Sequence, residues 1–127
     1  MFIRLDVDPH AKARARMARD GTCFTPLKTK SNENHLKYEL RAKSKRLLWD
    51  EPIGVEVDFY IEKPKRMPKG RIFPSVRPDL DNYVKQILDA GNKYLWRDDS
   101  CICTITARKF YSDAKGYIKI SVFKLNE

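Results

Sequence analysis

The sequence has little of what zinc sites, disulfide scaffolds and membrane spans require. Its three cysteines, Cys23, Cys101 and Cys103, form no C-x-x-C pair, and its two histidines lie far apart. A zinc site or a disulfide framework therefore has little support. No apolar run approaches the length of a membrane span, and the first residues contain no apolar signal-peptide core. We expect a cytoplasmic protein in reducing conditions, with no membrane partner.

Negative charge is also scarce relative to positive charge. Lysine and arginine number 26 against 17 aspartates and glutamates, which gives a net charge of +9 and a pI near 9.6. A small basic chain usually meets a polyanion, and nucleic acid is the commonest one. Total charge alone does not exclude a merely soluble basic protein. The length of 127 residues and the hydrophobic fraction of 42% predict a single folded domain over residues 1–127.

Alternation of apolar and polar residues predicts four strands. They cover residues 2–7, 55–60, 102–111 and 117–123. The last two strands pair most simply as an antiparallel hairpin across a polar turn. A shorter hairpin is predicted around Asp20-Gly21, which would join 12–19 to 22–25. A helix over 11–19 stays open as an alternative, because alanine and arginine are good helix formers.

Two helices complete the predicted fold. The first follows Thr25-Pro26 and runs from Leu27 to about Leu48, with many basic side chains on its outer side. The second begins after Asp79, a residue type that favours the N-cap position, and its apolar residues keep helical spacing from Leu80 to Leu95. The order of the elements predicts an α+β fold with a small mixed or antiparallel sheet.

The segment over 63–78 is basic and rich in proline. It contains six basic residues, four prolines and no acidic residue, so regular structure is not expected across its length. A long loop of this kind in a small domain is often functional, and we favour phosphate binding over a merely solvated loop. Together with the basic residues before Asp20-Gly21, it gives a set of candidate DNA contacts. They are Lys12, Arg14, Arg16, Arg19, Lys63, Lys65, Arg66, Lys69, Arg71 and Arg77.

Carboxylates stand at the predicted start of the second helix. Asp79 and Asp81 are two residues apart, and Lys85 lies one turn beyond Asp81. Such a pair alone is weak support for a metal site, because aspartates at a helix start also serve capping and the helix dipole. Lys85 would contact a phosphate or only form a surface ion pair with Asp81.

A second acidic pair, Asp98-Asp99, precedes the next predicted strand. The sequence does not tell whether this turn folds back to the start of the second helix. If it does, three carboxylates would converge on a hard cation such as Mg²⁺, which prefers oxygen ligands and bridges to phosphates. The chemistry of such a centre would be phosphodiester hydrolysis.

These residues together resemble the RusA family of Holliday junction resolvases, in a form common in phages and prophages. The resemblance is carried by Asp79-Leu80-Asp81-Asn82 with Lys85, then by Trp96 and Asp98-Asp99. A looser similarity extends over the N-terminal part, including Phe24-Thr25-Pro26. The family's three essential acidic residues match Asp79, Asp81 and Asp99, and its important lysine matches Lys85. Asp98 could share the role of Asp99.

The resemblance implies a homodimeric endonuclease of bacterial or phage-infected cells that nicks four-way DNA junctions symmetrically. It implies Mg²⁺ as the cofactor, with Mn²⁺ as a substitute and no further small molecule, and an intertwined or strand-paired dimer. A twofold dimer would present two sites to a nearly twofold junction, and the N-terminal strand is a candidate dimer surface. Two alternatives stay open. They are a nuclease of broader preference for flaps and forks, and a non-catalytic DNA-binding module whose aspartates only cap a helix.

Overall fold

The computed structural model describes residues 1–10, 16–17, 19–21, 23–24, 27–44 and 50–126. The elements in this part of the chain are, in order, β1 (Phe2–Leu5), β2 (Arg16–Met17), β3 (Cys23–Phe24), α1 (Leu27–Lys43), β4 (Ile53–Glu62), α2 (Leu80–Gly91), a 3₁₀ turn (Asp99–Cys101), β5 (Ile102–Ser112) and β6 (Tyr117–Lys124). Two helices and a mixed four-stranded sheet confirm the predicted α+β class. No helix of the described ranges is long and apolar enough to cross a membrane.

The main sheet has the strand order β1-β6-β4-β5. β4 pairs antiparallel with β6 and parallel with β5, and β1 pairs antiparallel with β6. β2 and β3 form a separate antiparallel ladder that joins Arg16 to Phe24 and Met17 to Cys23. The predicted hairpin around Asp20-Gly21 is therefore confirmed, and Gly21 has the positive φ of 90° that glycine adopts readily in a turn. Residues 11–15 of the alternative helix lie outside the described ranges.

The predicted hairpin between the last two strands is wrong, because β4 lies between β5 and β6. The inner face of β4 is buried throughout, since Ile53, Val55, Val57 and Phe59 are each exposed by 1% or less. A central position covers β4 on both edges, whereas β5, whose side chains are exposed over much of its length, stays at the sheet edge. The strand order is therefore decided by the burial of β4 and not by the short connection between β5 and β6.

Both helices pack on the inner face of the sheet and form one core with it. Leu36 and Leu40 of α1 and Ile87 of α2 are buried in this core. On α2, the ring of Tyr83 stacks on that of Phe59, with centroids 5.3 Å apart. The stacking fixes the first turns of α2 above the second half of β4.

Both helices end before the sequence predicts. α1 ends at Lys43, whereas the predicted end near Leu48 lies outside the described ranges. α2 ends at Gly91, because the chain turns there and buries Trp96 against that glycine. The Nε1 of Trp96 donates a hydrogen bond to Oδ1 of Asn92 at 2.8 Å, which closes the turn. The apolar spacing that continues to Leu95 therefore reflects core contacts of a turn rather than more helix.

Candidate active site and nucleic-acid surface

Asp79 occupies the N-cap position of α2, as its residue type predicts. Its backbone is extended (φ −66°, ψ 149°), and its carbonyl oxygen accepts from the backbone N–H of Asn82 at 3.1 Å. Its side chain, however, makes no capping hydrogen bond. Capping therefore does not occupy the exposed Asp79 carboxylate, and its oxygens remain available for a ligand.

Asp81 and Lys85 follow on the exposed side of α2. The sequence left open an ion pair between them, because residues four apart lie on the same helix face. Among the ion pairs of the described residues, none joins Asp81 to Lys85, and neither side chain has a hydrogen-bond partner there. The start of α2 thus carries two carboxylates and one ammonium group whose side chains contact no partner among the described residues.

The segment before Asp79 is held in place by Lys109, a residue that the sequence analysis missed. Its Nζ donates hydrogen bonds to the carbonyl oxygens of Val76 at 2.9 Å and of Pro78 at 3.2 Å. Lys109 follows the inward-facing Ala107 by two residues, so both side chains lie on the same face of β5. A lysine on the apolar face of a strand was the signal available in the sequence. Since Lys109 pairs with Phe59 in the β4–β5 register, the start of α2 lies near the carboxyl end of both strands.

Asp98 and Asp99, which the sequence did not separate, have different surroundings. The Asp98 carboxylate caps the 3₁₀ turn by accepting a hydrogen bond from the backbone N–H of Ser100 at 3.1 Å. Hydrogen bonding from Ser100 lowers the pKa of Asp98 below its ordinary value. Asp99 is half-buried, and its carboxylate has no hydrogen-bond or ion-pair partner among the described residues. Asp99 is therefore the member of the pair whose oxygens remain available.

One chain does not bring Asp99 to the other two carboxylates. Asp99 leads into Ile102, which pairs with Ile53 at the start of β4, whereas the start of α2 lies at the level of Lys109. Ile102 and Lys109 are separated by roughly 23 Å along the strand, at about 3.3 Å per residue. Accordingly, the described residues contain no group of three potential metal-ligating side chains. In the described part of one chain, Asp79 and Asp81 are the two candidate ligands that share the start of α2.

The basic segment over 63–78 contains neither helix nor strand, as predicted. Lys65, Arg66, Lys69 and Arg77 are exposed and take part in no ion pair within the described ranges. Arg71 donates to Oγ of Ser75 at 3.1 Å, and the Nζ of Lys63 lies 3.7 Å from a carboxylate oxygen of Asp113. Of the other candidate contacts, Arg19 is exposed and Arg16 belongs to β2, whereas Lys12 and Arg14 lie outside the described ranges.

A row of stacked rings, which could not be predicted from the sequence, joins this basic segment to the outer face of the sheet. Tyr117 stacks on Tyr60 with centroids 4.3 Å apart, Tyr60 on Phe110 at 5.2 Å, and Phe110 contacts Phe73 at 5.5 Å. The backbone N–H of Tyr111 also donates to the carbonyl oxygen of Ile72 at 2.8 Å. The middle of the basic segment is therefore anchored at the carboxyl end of β5. The start of α2 is held at the same end of that strand by Lys109, so the basic side chains of the segment and the start of α2 share one anchor.

A family model described as endodeoxyribonuclease RusA matches residues 6–122, which include α2, the basic segment and the Asp98-Asp99 turn. The chain belongs to the RusA family. This membership confirms the resemblance seen in the sequence. A relative from Bacillus subtilis (strain 168), named "Uncharacterized protein YqaN", is 35% identical in a match that covers 49% of this chain and 51% of the relative. The chain thus spans about half the length of that relative.

The donor set of this RusA-family chain fits a magnesium ion. Mg²⁺ is usually held by one or two carboxylates together with waters and substrate phosphates. Asp79 and Asp81 supply two carboxylates that have no other partner in the described ranges, and Lys85 lies one turn along the helix. Because exposed cations and the Asp pair are anchored at the same end of β5, a phosphate backbone held by the segment would lie near the carboxylates.

Proposed function

We propose that this chain is a structure-selective endonuclease that resolves Holliday (four-way) DNA junctions by paired symmetric nicks in recombination and repair. Membership in the endodeoxyribonuclease RusA family supports the reaction class. The observation that carries the proposal is the start of α2, where no described residue engages the side chain of Asp79 or Asp81 in capping or ion pairing. A DNA-binding module that used these aspartates only as helix caps would engage the Asp79 side chain.

The proposed site divides its tasks among four side chains. Asp79 and Asp81 of one chain would hold the divalent cation together with Asp99 of a second copy, because one chain does not bring Asp99 to the pair. Lys85 would donate a hydrogen bond to an oxygen of the scissile phosphate. When bound there, Mg²⁺ or Mn²⁺ would supply Lewis-acid neutralisation of the phosphate charge and would lower the pKa of a water molecule at the site. Lys109 acts through the backbone, because its hydrogen bonds to Val76 and Pro78 hold the segment that leads into Asp79.

Binding to the junction is proposed to depend on backbone phosphates. Lys65, Arg66, Lys69 and Arg77 present guanidinium and ammonium groups that have no partner in the described part of the chain, on a segment attached to the sheet. Contacts of this kind position a protein on DNA without reading bases, and each one releases counterions on binding. Affinity should therefore fall steeply as salt concentration rises, and selectivity for junctions should come from shape.

A homodimer is part of the proposal, since a junction has two strands to cut. Each chain contributes one Asp79–Asp81 pair. A twofold dimer matches two such pairs to the near twofold symmetry of a four-way junction. Paired nicking then follows from geometry, because both sites reach symmetry-related phosphates of one bound substrate.

The function is tested with an Asp81→Asn variant and a synthetic four-way junction. We expect the variant to bind the junction as wild type does and to lose Mg²⁺-dependent cleavage, because an amide is a poor ligand for a hard cation. Asp6→Asn is the matched control. Asp6 is exposed beyond β1, at the opposite edge of the sheet, and its ion pairs are on the surface.

Comparison of junction, flap and linear duplex at one salt concentration separates a junction resolvase from a nuclease of broader preference. Equal cutting of flaps and junctions would favour the broader nuclease. Tight binding by wild type without cleavage in Mg²⁺ or Mn²⁺ would favour the non-catalytic DNA-binding module.

A further inference from the structure

Two pockets adjoin each other along α1. The first has a volume of about 230 Å³, lies between α1 and α2, and has the carboxylate of Glu33 in its lining. The second has a volume of about 240 Å³, lies where α1 meets the turn after α2, and is lined by Tyr38, Arg41 and Tyr94. Lys37 lines both pockets, so together they form one groove, the α1 groove.

The second pocket presents side chains that are typical of protein-binding surfaces. Lys37 and Arg41 are exposed and have no hydrogen-bond or ion-pair partner within the described ranges. Tyr38 is 70% exposed, more than any other large hydrophobic side chain in the part of the chain that the structure describes. Tyrosine and arginine are the residue types that most often carry the binding energy of protein interfaces. The α1 groove is therefore a candidate docking site.

The charges of the α1 groove set it apart from the basic segment over 63–78. Glu33 and Asp89 contribute carboxylates to one end, whereas Lys37 and Arg41 contribute cations to the other. The basic segment, in contrast, contains six basic residues and no acidic one. A phosphate backbone along the groove would pass two carboxylates, but a peptide can place N–H donors or a cation there and an acid at the other end. Charge complementarity thus favours a peptide over nucleic acid.

The dimensions of the α1 groove also fit a peptide. Glu33 and Arg41 are eight residues apart on α1, which is about 12 Å at 1.5 Å per residue. This length matches about four residues of an extended chain at about 3.3 Å each. Each pocket is smaller than the roughly 300–1,000 Å³ of pockets that hold small-molecule ligands. Each one therefore admits a side chain rather than a whole cofactor.

The α1 groove lies away from the candidate active site. Its cationic end, at Tyr94, follows the carboxyl end of α2, whereas Asp79 precedes the amino end of the same helix. α2 has 12 residues and is about 18 Å long. An occupant of the groove would therefore leave the carboxylates and the basic segment open to DNA.

We propose that the α1 groove binds a short extended segment of a partner protein, in which an aromatic residue adjoins acidic residues and a basic residue lies about three positions away. The acidic side chains pair with Lys37 and Arg41, the aromatic side chain packs against Tyr38 and Tyr94, and the basic residue faces Glu33. The inference goes beyond the proposed nuclease function and does not depend on it.

Fluorescence anisotropy with a defined peptide tests the proposal. The probe is a fluorescein-labelled decapeptide in which a lysine is followed, after two serines, by a phenylalanine and two aspartates, with glycine and serine elsewhere. We expect saturable binding to wild type. Replacing the phenylalanine by alanine, or both aspartates by asparagine, should weaken binding by about tenfold, because each change removes one of the proposed contacts.

Charge reversal in the groove gives a result that a misfolded variant cannot imitate. Lys37→Glu with Arg41→Glu should abolish binding of the aspartate probe and should bind a probe that has lysines in place of the aspartates. Lys65→Glu with Arg66→Glu is the matched control, since it makes the same change of charge on the basic segment. At about 0.15 M salt, where screening acts over about 8 Å, the control should leave both affinities within about twofold of wild type.

Tyr38→Ala tests the aromatic contact. It should weaken binding of the phenylalanine probe by about tenfold and should have little effect on the alanine probe, because the two changes remove the same contact. Equal weakening of both probes would contradict a contact between Tyr38 and the aromatic residue.

Three further outcomes would overturn the proposal. They are no binding of the aspartate probe to wild type at about 1 mM protein, equal loss of binding in the control variant, and loss in the charge-reversed variant without binding of the lysine probe. A single-stranded oligonucleotide of ten thymidines is the rival probe. If its binding were lost in the Lys37 and Arg41 variant and kept in the Lys65 and Arg66 variant, the groove would be a nucleic-acid site instead. If wild type does not cut junctions, the proposed function fails, while the peptide measurements still decide the role of the groove.

Discussion

The ammonium group of Lys109 lies 3.2 Å from the carbonyl oxygen of Pro78, and this contact joins an edge strand to the residue before the candidate metal ligand Asp79. The same ammonium group donates a second hydrogen bond to the carbonyl oxygen of Val76. The position of the carboxylate pair thus depends on a lysine that lies far from it in sequence and takes no part in the proposed chemistry.

Replacement of Lys109 by methionine should lower the cleavage rate at saturating junction by roughly tenfold, since a hydrogen bond from a charged donor contributes about 1.5–3 kcal/mol. The dissociation constant for the junction should change little. Lys109→Arg should restore part of the rate, because arginine also donates to carbonyl oxygens. Lys37→Met, an exposed site on α1, controls for the loss of charge. An equal fall in rate for Lys37→Met would contradict a positioning role for Lys109.

The salt dependence of junction binding should identify the basic segment as the phosphate contact. Replacing Lys65 and Arg66 by glutamine should reduce the slope of log K against log salt by about two, at about 0.9 per phosphate contact. Lys37→Gln with Arg41→Gln, on the basic outer face of α1, removes the same charge and should leave the slope nearly unchanged. Electrophoretic mobility shifts over a salt series measure both. A larger reduction of the slope by the two α1 substitutions would indicate that the DNA binds to α1 instead of the basic segment.

The turn after α2 should be sensitive to a single methyl group. A Cβ atom at Gly91 would lie 2.5 Å from Cζ2 of Trp96, and that ring is fully buried. Gly91→Ala should therefore lower the free energy of unfolding by about 1–3 kcal/mol through overpacking. The same substitution in a Trp96→Leu background should cost less, because the clashing ring is gone. Urea unfolding of wild type and the three variants measures this coupling, and full additivity would exclude the clash.

The Asp98 cap should give stability a pH dependence. Hydrogen bonding from Ser100 lowers the pKa of Asp98 in the folded protein below its ordinary value of 3.8. The unfolded chain therefore binds the proton more readily, so the contribution is present above that ordinary value and is lost as pH falls through the folded pKa. Asp98→Ala should destabilise the protein at pH 7 and have a smaller effect at acid pH. Urea unfolding at both pH values checks this, and a constant difference would contradict it.

Local features of the fold could be predicted from the sequence. Asp79 as an N-cap and α2 as a helix follow from residue type and apolar spacing within one short stretch. The hairpin around Asp20-Gly21 also depends only on nearby residues. The pairing of the last two strands could not be predicted in this way, because the burial of β4, a distant strand, decides it.

In the candidate site, too, the features that depend on nearby residues could be predicted, and those that depend on distant contacts could not. Asp79, Asp81 and Lys85 lie within the N-cap and first two turns of one helix and were recognisable together. The choice between Asp98 and Asp99 depends on a single hydrogen bond in a turn, and the role of Lys109 depends on where another segment crosses β5. The sequence left open whether the Asp99 turn folds back to α2, and in one chain it does not reach Asp79.

The most direct test of the account is cleavage of a four-way junction labelled in turn on each of its four strands, with Mg²⁺ as the added cation. We expect two nicks at symmetry-related positions on opposing strands of the same junction, absent without the cation and absent with Asp81→Asn. Failure to cut in either Mg²⁺ or Mn²⁺, or cutting by Asp81→Asn at the wild-type rate, would contradict it.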